Sequence, residues 1–154
     1  MTDGERDSDN LPVPAVDLTP LLQEPGGTLS QLERDYLMVA LFVRIQHLRY
    51  EEALILIRAL TAAGEVTPDV LFARAVVENA TGDHEAALTT VRELERMAPA
   101  VIGAKSKITR RARMRAYIKA RANFALTGEL DEEGRAALDF YLRHGRKTEK
   151  RRKS

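Results

Sequence analysis

The chain has 154 residues, 44% of them hydrophobic and 31% charged, and its 24 Lys and Arg against 23 Asp and Glu leave a formal net charge of +1. That length suits one domain; few aromatics (5%, no Trp) beside abundant Ala, Leu, Arg and Glu argue against an all-β fold, and the lack of Cys excludes disulfides, thiol nucleophiles and thiolate metal sites. The longest apolar run, Leu37 to Val43, falls far short of the roughly 20 residues of a membrane span. Met1 to Asn10 is acidic and has no apolar signal-peptide core, so a cytoplasmic location is expected.

In chain order, residues 1–28 form an acidic leader broken by Pro12, Pro14, Pro20 and Pro25 and ending near Gly26-Gly27, without helical period, and read as flexible. Its centre, Leu11 to Leu18, carries enough apolar residues to dock as an extended strip on the domain or on another protein. Helical structure is expected to start at Ser30, because Ser30-Gln31-Leu32-Glu33 is a capping box. A first helix then runs to about His47, and a second from Tyr50 to Ala63 stops at Gly64. Thr67-Pro68 supplies an N-cap and a Pro in the first turn of a third helix ending near Ala80. After Thr81-Gly82-Asp83 a fourth runs from His84 to Met97, before Pro99. A fifth is expected over Lys107 to Thr127, closed by Gly128, and Asp131 caps a sixth ending at Gly145. The helical domain is thus 29–145, with a basic disordered tail over 146–154, and no segment reads as a strand.

Tyr50-Glu51-Glu52-Ala53-Leu54 and His84-Glu85-Ala86-Ala87-Leu88 are offset by 34 residues, as are Ile57 with Val91 and Leu60 with Leu94. Together with Gly82-Asp83 and the closing Pro99, this pattern resembles the tetratricopeptide repeat, whose period is 34 residues. Tyr117, Ala120 and Phe124 before Gly128 suggest a third, irregular repeat. Two departures stand out: Leu48 occupies the turn position held by Gly82, and Arg74 and Glu78 fall where apolar packing residues are common. The resemblance implies an all-α fold, a short right-handed helix-hairpin solenoid of two to three repeats, in which each pair covers its neighbour's apolar face. An unrelated six-helix bundle is the alternative.

In such a solenoid the first helix of each pair lines a concave face. The repeat register assigns to it Met38, Phe42 and Ile45, then Phe72, Val76 and Asn79, then Ile118 and Ala122. Those residues either bind a partner's amphipathic helix or extended segment, or serve as ordinary core. The pattern is also similar to the small tetratricopeptide chaperones of bacterial type III secretion. That resemblance implies a cytoplasmic chaperone holding an aggregation-prone helical needle subunit or translocator, with a small co-chaperone.

The net charge conceals a division at Ala104: residues 1–104 carry eight basic and seventeen acidic side chains, residues 105–154 sixteen and six, or −9 against +10. Eight of those cations, Lys105, Lys107, Arg110, Arg111, Arg113, Arg115, Lys119 and Arg121, occur with no acidic residue among them. They suit an acidic protein, nucleic-acid phosphates, a solvated surface, or the acidic half of the same or another copy. No recognised metal-ligand spacing or catalytic constellation is present, so neither cofactor nor enzymatic activity is expected. Asp131-Glu132-Glu133 is accounted for by the helix dipole.

Overall fold

The computed structural model describes residues 28–99 and 109–152, which form six α-helices: α1 Gln31–Gln46, α2 Tyr50–Ala62, α3 Pro68–Ala80, α4 His84–Met97, α5 Arg110–Thr127 and α6 Glu132–Arg152. Among the described residues there is no strand, and no helix is long and apolar enough to cross a membrane. The local signals act as expected. Ser30 Oγ accepts from the Glu33 amide (3.3 Å) while the Ser30 amide donates to Glu33 Oε2 (2.7 Å), completing the capping box. Hydrogen bonding from Ser30 to the Glu33 carboxylate, through its amide first and its side chain second, holds that carboxyl below its ordinary value. Thr67, Asp83 and Thr109 cap α3, α4 and α5 through side-chain oxygens.

The reversals between helices share one construction. At the end of α1 the amides of Leu48 and Arg49 donate to the carbonyls of Ile45 and Arg44, and thirty-four residues later those of Gly82 and Asp83 donate to Asn79 and Glu78. Gly64 and Glu65 repeat the pattern with Thr61 and Leu60. Each is a Schellman motif, which needs one left-handed residue just past the helix. Gly64 (φ 80°) and Gly82 (φ 84°) take that conformation freely, whereas Leu48 is held there at φ 59°. The sequence offset is therefore a structural one, and the tertiary context imposes on Leu48 a backbone that glycine favours.

Each helix packs on its successor, α1 also meets α3, and α3 meets α5, while no such contact joins α2 to α4. The first helices of the three pairs therefore lie side by side. Ala53 and Ala87, both fully buried, occupy equivalent places in α2 and α4 and let these helices approach α1 and α3 closely. Leu37, Leu41, Leu56, Ile57, Leu60, Val70 and Val77 form the larger core cluster, and Ala75, Ala87, Val91 and Ile118 the smaller. Leu29, just before the cap, is buried in the larger one and fixes where the chain enters α1.

Glu78, at a position where an apolar residue is common, is buried with both carboxylate oxygens used: Arg74 Nε donates to Oε1 and Thr90 Oγ1 to Oε2, each at 2.7 Å. The residue 34 positions earlier, Arg44, is buried too and pairs with Glu52 (3.2 Å). Charges at these sites are tolerated because each is hydrogen-bonded.

The third pair departs most from expectation. The stripe assigned to Tyr117, Ala120 and Phe124 is instead built on Ile118, Ala120, Ala122 and Asn123, and Phe124 is exposed. The irregular spacing of this pair displaces the buried side of α5 from the 34-residue register. Helix α6 passes through Gly145 to Arg152; an interior glycine weakens a helix by about 1 kcal/mol and does not by itself end it. Residues 1–27, 100–108 and 153–154, with the leader, Lys105, Lys107 and the start assigned to the fifth helix, lie outside the described residues.

Asn123 ties α5 to α6. Its Oδ1 accepts from the Asp131 amide (3.1 Å), its Nδ2 donates to Asp131 Oδ2 (3.0 Å), and Asp131 Oδ1 caps α6 at the Gly134 amide (2.7 Å). A Cβ on Gly134 would stand 2.5 Å from Asn123 Oδ1.

Two substitutions check these points. Leu48 is 69% exposed, so Leu48→Gly relieves backbone strain with little loss of packing; it is expected to stabilise the protein by about 1 kcal/mol, raising Tm by roughly 2–4 °C in a thermal melt. Gly134→Ala, despite alanine's better helix propensity, is expected to cost about 1–3 kcal/mol in a urea titration, because the buried, doubly bonded Asn123 cannot withdraw.

Candidate functional site

Of the eight residues assigned to the concave face, Met38, Phe42, Ile45, Phe72 and Val76 are half-buried, with Met38, Phe42 and Ile45 packed against the larger core cluster and Val76 against the smaller. They keep part of their apolar surface on the side where α1 and α3 lie in a row. Asn79, Ile118 and Ala122 are buried. Ile118 is a member of the smaller core cluster with Ala75, Ala87 and Val91, so it serves packing between pairs and not the open face. This follows from the register of α5, which turns Ile118 toward the preceding pair.

The face is crossed by Arg111 of α5. Its guanidinium carbon stands 5.2 Å from the centre of the Phe72 ring and 5.8 Å from that of Phe42, and its Nη1 pairs with Asp69 in the first turn of α3. An arginine over aromatic faces gains from the ring quadrupole while its fork stays free to bind a carboxylate. One basic side chain therefore links the three first helices over a patch of two aromatic rings. The sequence placed Arg111 in a separate basic patch; the contact joins residues 69 and 42 positions away, and no local pattern announces it.

The remaining basic residues of α5 divide between structural and exposed positions. Arg113 lies over the Tyr141 ring (4.9 Å), which itself packs on Tyr117 with centroids 5.3 Å apart. Arg115 donates to the Ala98 carbonyl at the end of α4 (3.0 Å), where a cation also meets the negative end of the helix dipole. Burial lowers the Arg115 pKa, partly opposed by the charge of Glu95. Lys119, only 13% exposed in its side chain, reaches Glu95 of α4 (3.0 Å) and Glu133 of α6 (2.6 Å), and Arg92 approaches Glu133 from the other side (3.6 Å). Arg110 and Arg121 are exposed. Four of the six described cations of the patch are thus engaged within the chain.

Beside Lys119 a cavity of about 370 Å³ opens between α5, α6 and the end of α4, walled by Ala116, Ala137, Phe140 and Pro99. Burial by itself would lower the Lys119 pKa, but its hydrogen bonds to Glu133 and Glu95 and their charges outweigh that and raise it. The Glu133 carboxyl is held below its ordinary value chiefly by the hydrogen bond from Lys119, against a smaller effect of burial.

Comparison with protein-family models, with curated proteins and with solved structures gave no match.

The Lys119–Glu133 contact carries a pH signature. A carboxyl whose pKa is lowered on folding stabilises the fold above its ordinary value of 4.5 and loses that contribution as pH falls through the lowered one; the raised Lys119 keeps its share until pH climbs beyond its ordinary 10.5. Glu133 is about half exposed, which limits the contact to about 1 kcal/mol. Glu133→Gln is therefore expected to be less stable than the parent by that amount at pH 7. The gap should close as pH falls below 4.5, as read from thermal melts in a buffer series.

Proposed function

We propose that the chain is a protein-binding chaperone or adaptor, a short tetratricopeptide-like solenoid of two to three helix hairpins whose concave face takes up a helical, aggregation-prone partner. The observation that carries this reading is the pair of half-buried rings, Phe42 and Phe72, on adjacent first helices beneath Arg111. Half-buried rings offer a partner apolar surface already ordered by the core, so little side-chain entropy is lost on docking. Arg111, positioned by Asp69, adds a fixed cation at the edge of the patch, and a carboxylate on the partner would compete with Asp69 for it. A partner helix would place apolar residues at i, i+3 or i+4 and i+7 on the rings and an acidic one near Arg111.

The shared turn geometry and the 34-residue offset support the repeat assignment. Membership of a bacterial type III secretion system, with a needle subunit or translocator as client and a small co-chaperone, rests on the sequence resemblance alone. Binding of RNA or DNA through the basic patch is the competing reading. It is weakened by the engagement of Arg111, Arg113, Arg115 and Lys119 within the chain.

Co-expression with the products of neighbouring reading frames, followed by affinity measurement on the retained partner, tests the proposal. Phe42→Glu and Phe72→Glu are each expected to weaken binding about 30-fold or more, as for a central hot spot, while circular dichroism shows an intact helical fold. Retention of no helical partner, or unchanged affinity in both variants, would overturn it. A steeply salt-dependent RNA or DNA shift, lost in Arg110→Ala/Arg121→Ala, would favour the competing reading.

A further inference from the structure

Helix α1 has a second apolar side. Leu32 is 80% exposed, Val39 64%, Tyr36 about half and Val43 partly. Their spacing, i, i+4, i+7 and i+11, sets them in one stripe along the side turned away from Leu37 and Leu41. A helix apolar on both sides is ordinarily covered on both. Of the other described helices, none packs on this stripe, because α1 is the first of the row and meets α2 and α3 through its remaining sides.

We propose that this stripe is the docking site of the chain's own leader, with the segment from Val16 to Leu22 laid antiparallel along α1. Three observations select this occupant. The chain enters α1 at the buried Leu29, beside the Leu32 end of the stripe, and residues 23–27, Gln-Glu-Pro-Gly-Gly, have the composition of a reversal. Immediately before them stand Val16, Leu18, Leu21 and Leu22, four apolar residues for an apolar stripe of four. Pro20 within this segment, and Pro12 and Pro14 before it, favour an extended strand of polyproline type over a helix. At about 3.1 Å per residue such a segment spans roughly 20 Å, and the stripe, at a rise of about 1.5 Å per residue, is roughly 16 Å long.

A second copy of the chain fits less well. Four side chains in one helical row offer on the order of a few hundred Å², below the about 800 Å² that each partner contributes to a stable interface of standard size. The leader needs no such area, because a short tether supplies an effective concentration in the millimolar range. In this arrangement the leader seals the open end of the helix row. The inference does not depend on the concave face or its partner, since it concerns a separate stripe of α1 that shares no residue with Met38, Phe42 and Ile45.

The test exploits the absence of cysteine in the 154-residue chain. Val39→Cys introduces a single thiol in the stripe, and Ala80→Cys one at an exposed site at the end of α3. The Val39→Cys thiol is expected to react with a small disulfide reagent about tenfold more slowly than that of Ala80→Cys, independently of protein concentration. The protection should vanish when Leu18, Leu21 and Leu22 are all changed to Asp in the same 154-residue chain. In a Leu18→Cys/Val39→Cys variant, which this antiparallel register sets side by side, mild oxidation should close a disulfide within one chain. Equal reaction rates, protection that survives the three Asp substitutions, or protection that grows with concentration and yields disulfides between chains would overturn the proposal, the last identifying a second copy as the occupant.

Discussion

One backbone state recurs at the ends of α1, α2, α3 and α5: a residue with positive φ, Leu48, Gly64, Gly82 or Gly128, just past the last helical turn. In the first three the amide of that residue and the amide after it close back on the helix, so the chain leaves in a defined direction and the following helix returns alongside. Everything else in the fold depends on that return. The small residues Ala53 and Ala87 become contact points, and Leu41, Leu60, Val77 and Leu94 are buried, because the turns bring successive helices back against one another. That Leu48 accepts the left-handed state shows the strength of the constraint: packing of the first hairpin outweighs the local preference of its turn residue.

The same arrangement decides what the charges do. The division between an acidic first part and a basic second part gives the chain two surfaces of opposite sign on paper, yet α5 lies against α3, α4 and α6, and much of its positive charge is met there. Arg111 meets Asp69, Lys119 meets Glu95 and Glu133, and Arg115 meets the end of α4. The cations hold the third pair to the second, which offsets the modest apolar content of α5. Glu78 and Arg44 show the complementary case, charged groups at interior positions of the first two pairs, each satisfied by a partner brought from another helix or the next turn. Opposite charges within the chain thus act first as internal fastening, and what remains on the surface is smaller than the sequence totals suggest.

The candidate site was legible in part. Met38, Phe42, Phe72 and Val76 follow from the repeat register, because positions 34 apart on equivalent helices share a face, and the structure keeps all four half-buried. Ile118 and Ala122 do not follow, since the third pair is out of step with that register: Ile118 packs with Ala75, Ala87 and Val91, and Ala122 is fully buried. Arg111 over the two rings, and Asn123 joining α5 to the start of α6, had no signal at all in residue spacing.

By itself the sequence determined the first four helices, most of the caps and the 34-residue echo between the first two pairs, since each rests on interactions between residues at most a few positions apart, whereas the end it set for the sixth helix at Gly145 did not hold. It also determined the composition behind the opening balance, 24 basic against 23 acidic residues. Only the tertiary structure decided which of those charges meet, which side of α5 is buried, that Leu48 stands in a glycine's conformation, and that α1 carries an apolar stripe on which none of the other described helices packs. These depend on distances between residues far apart in the chain, and such distances arise only when the helices pack.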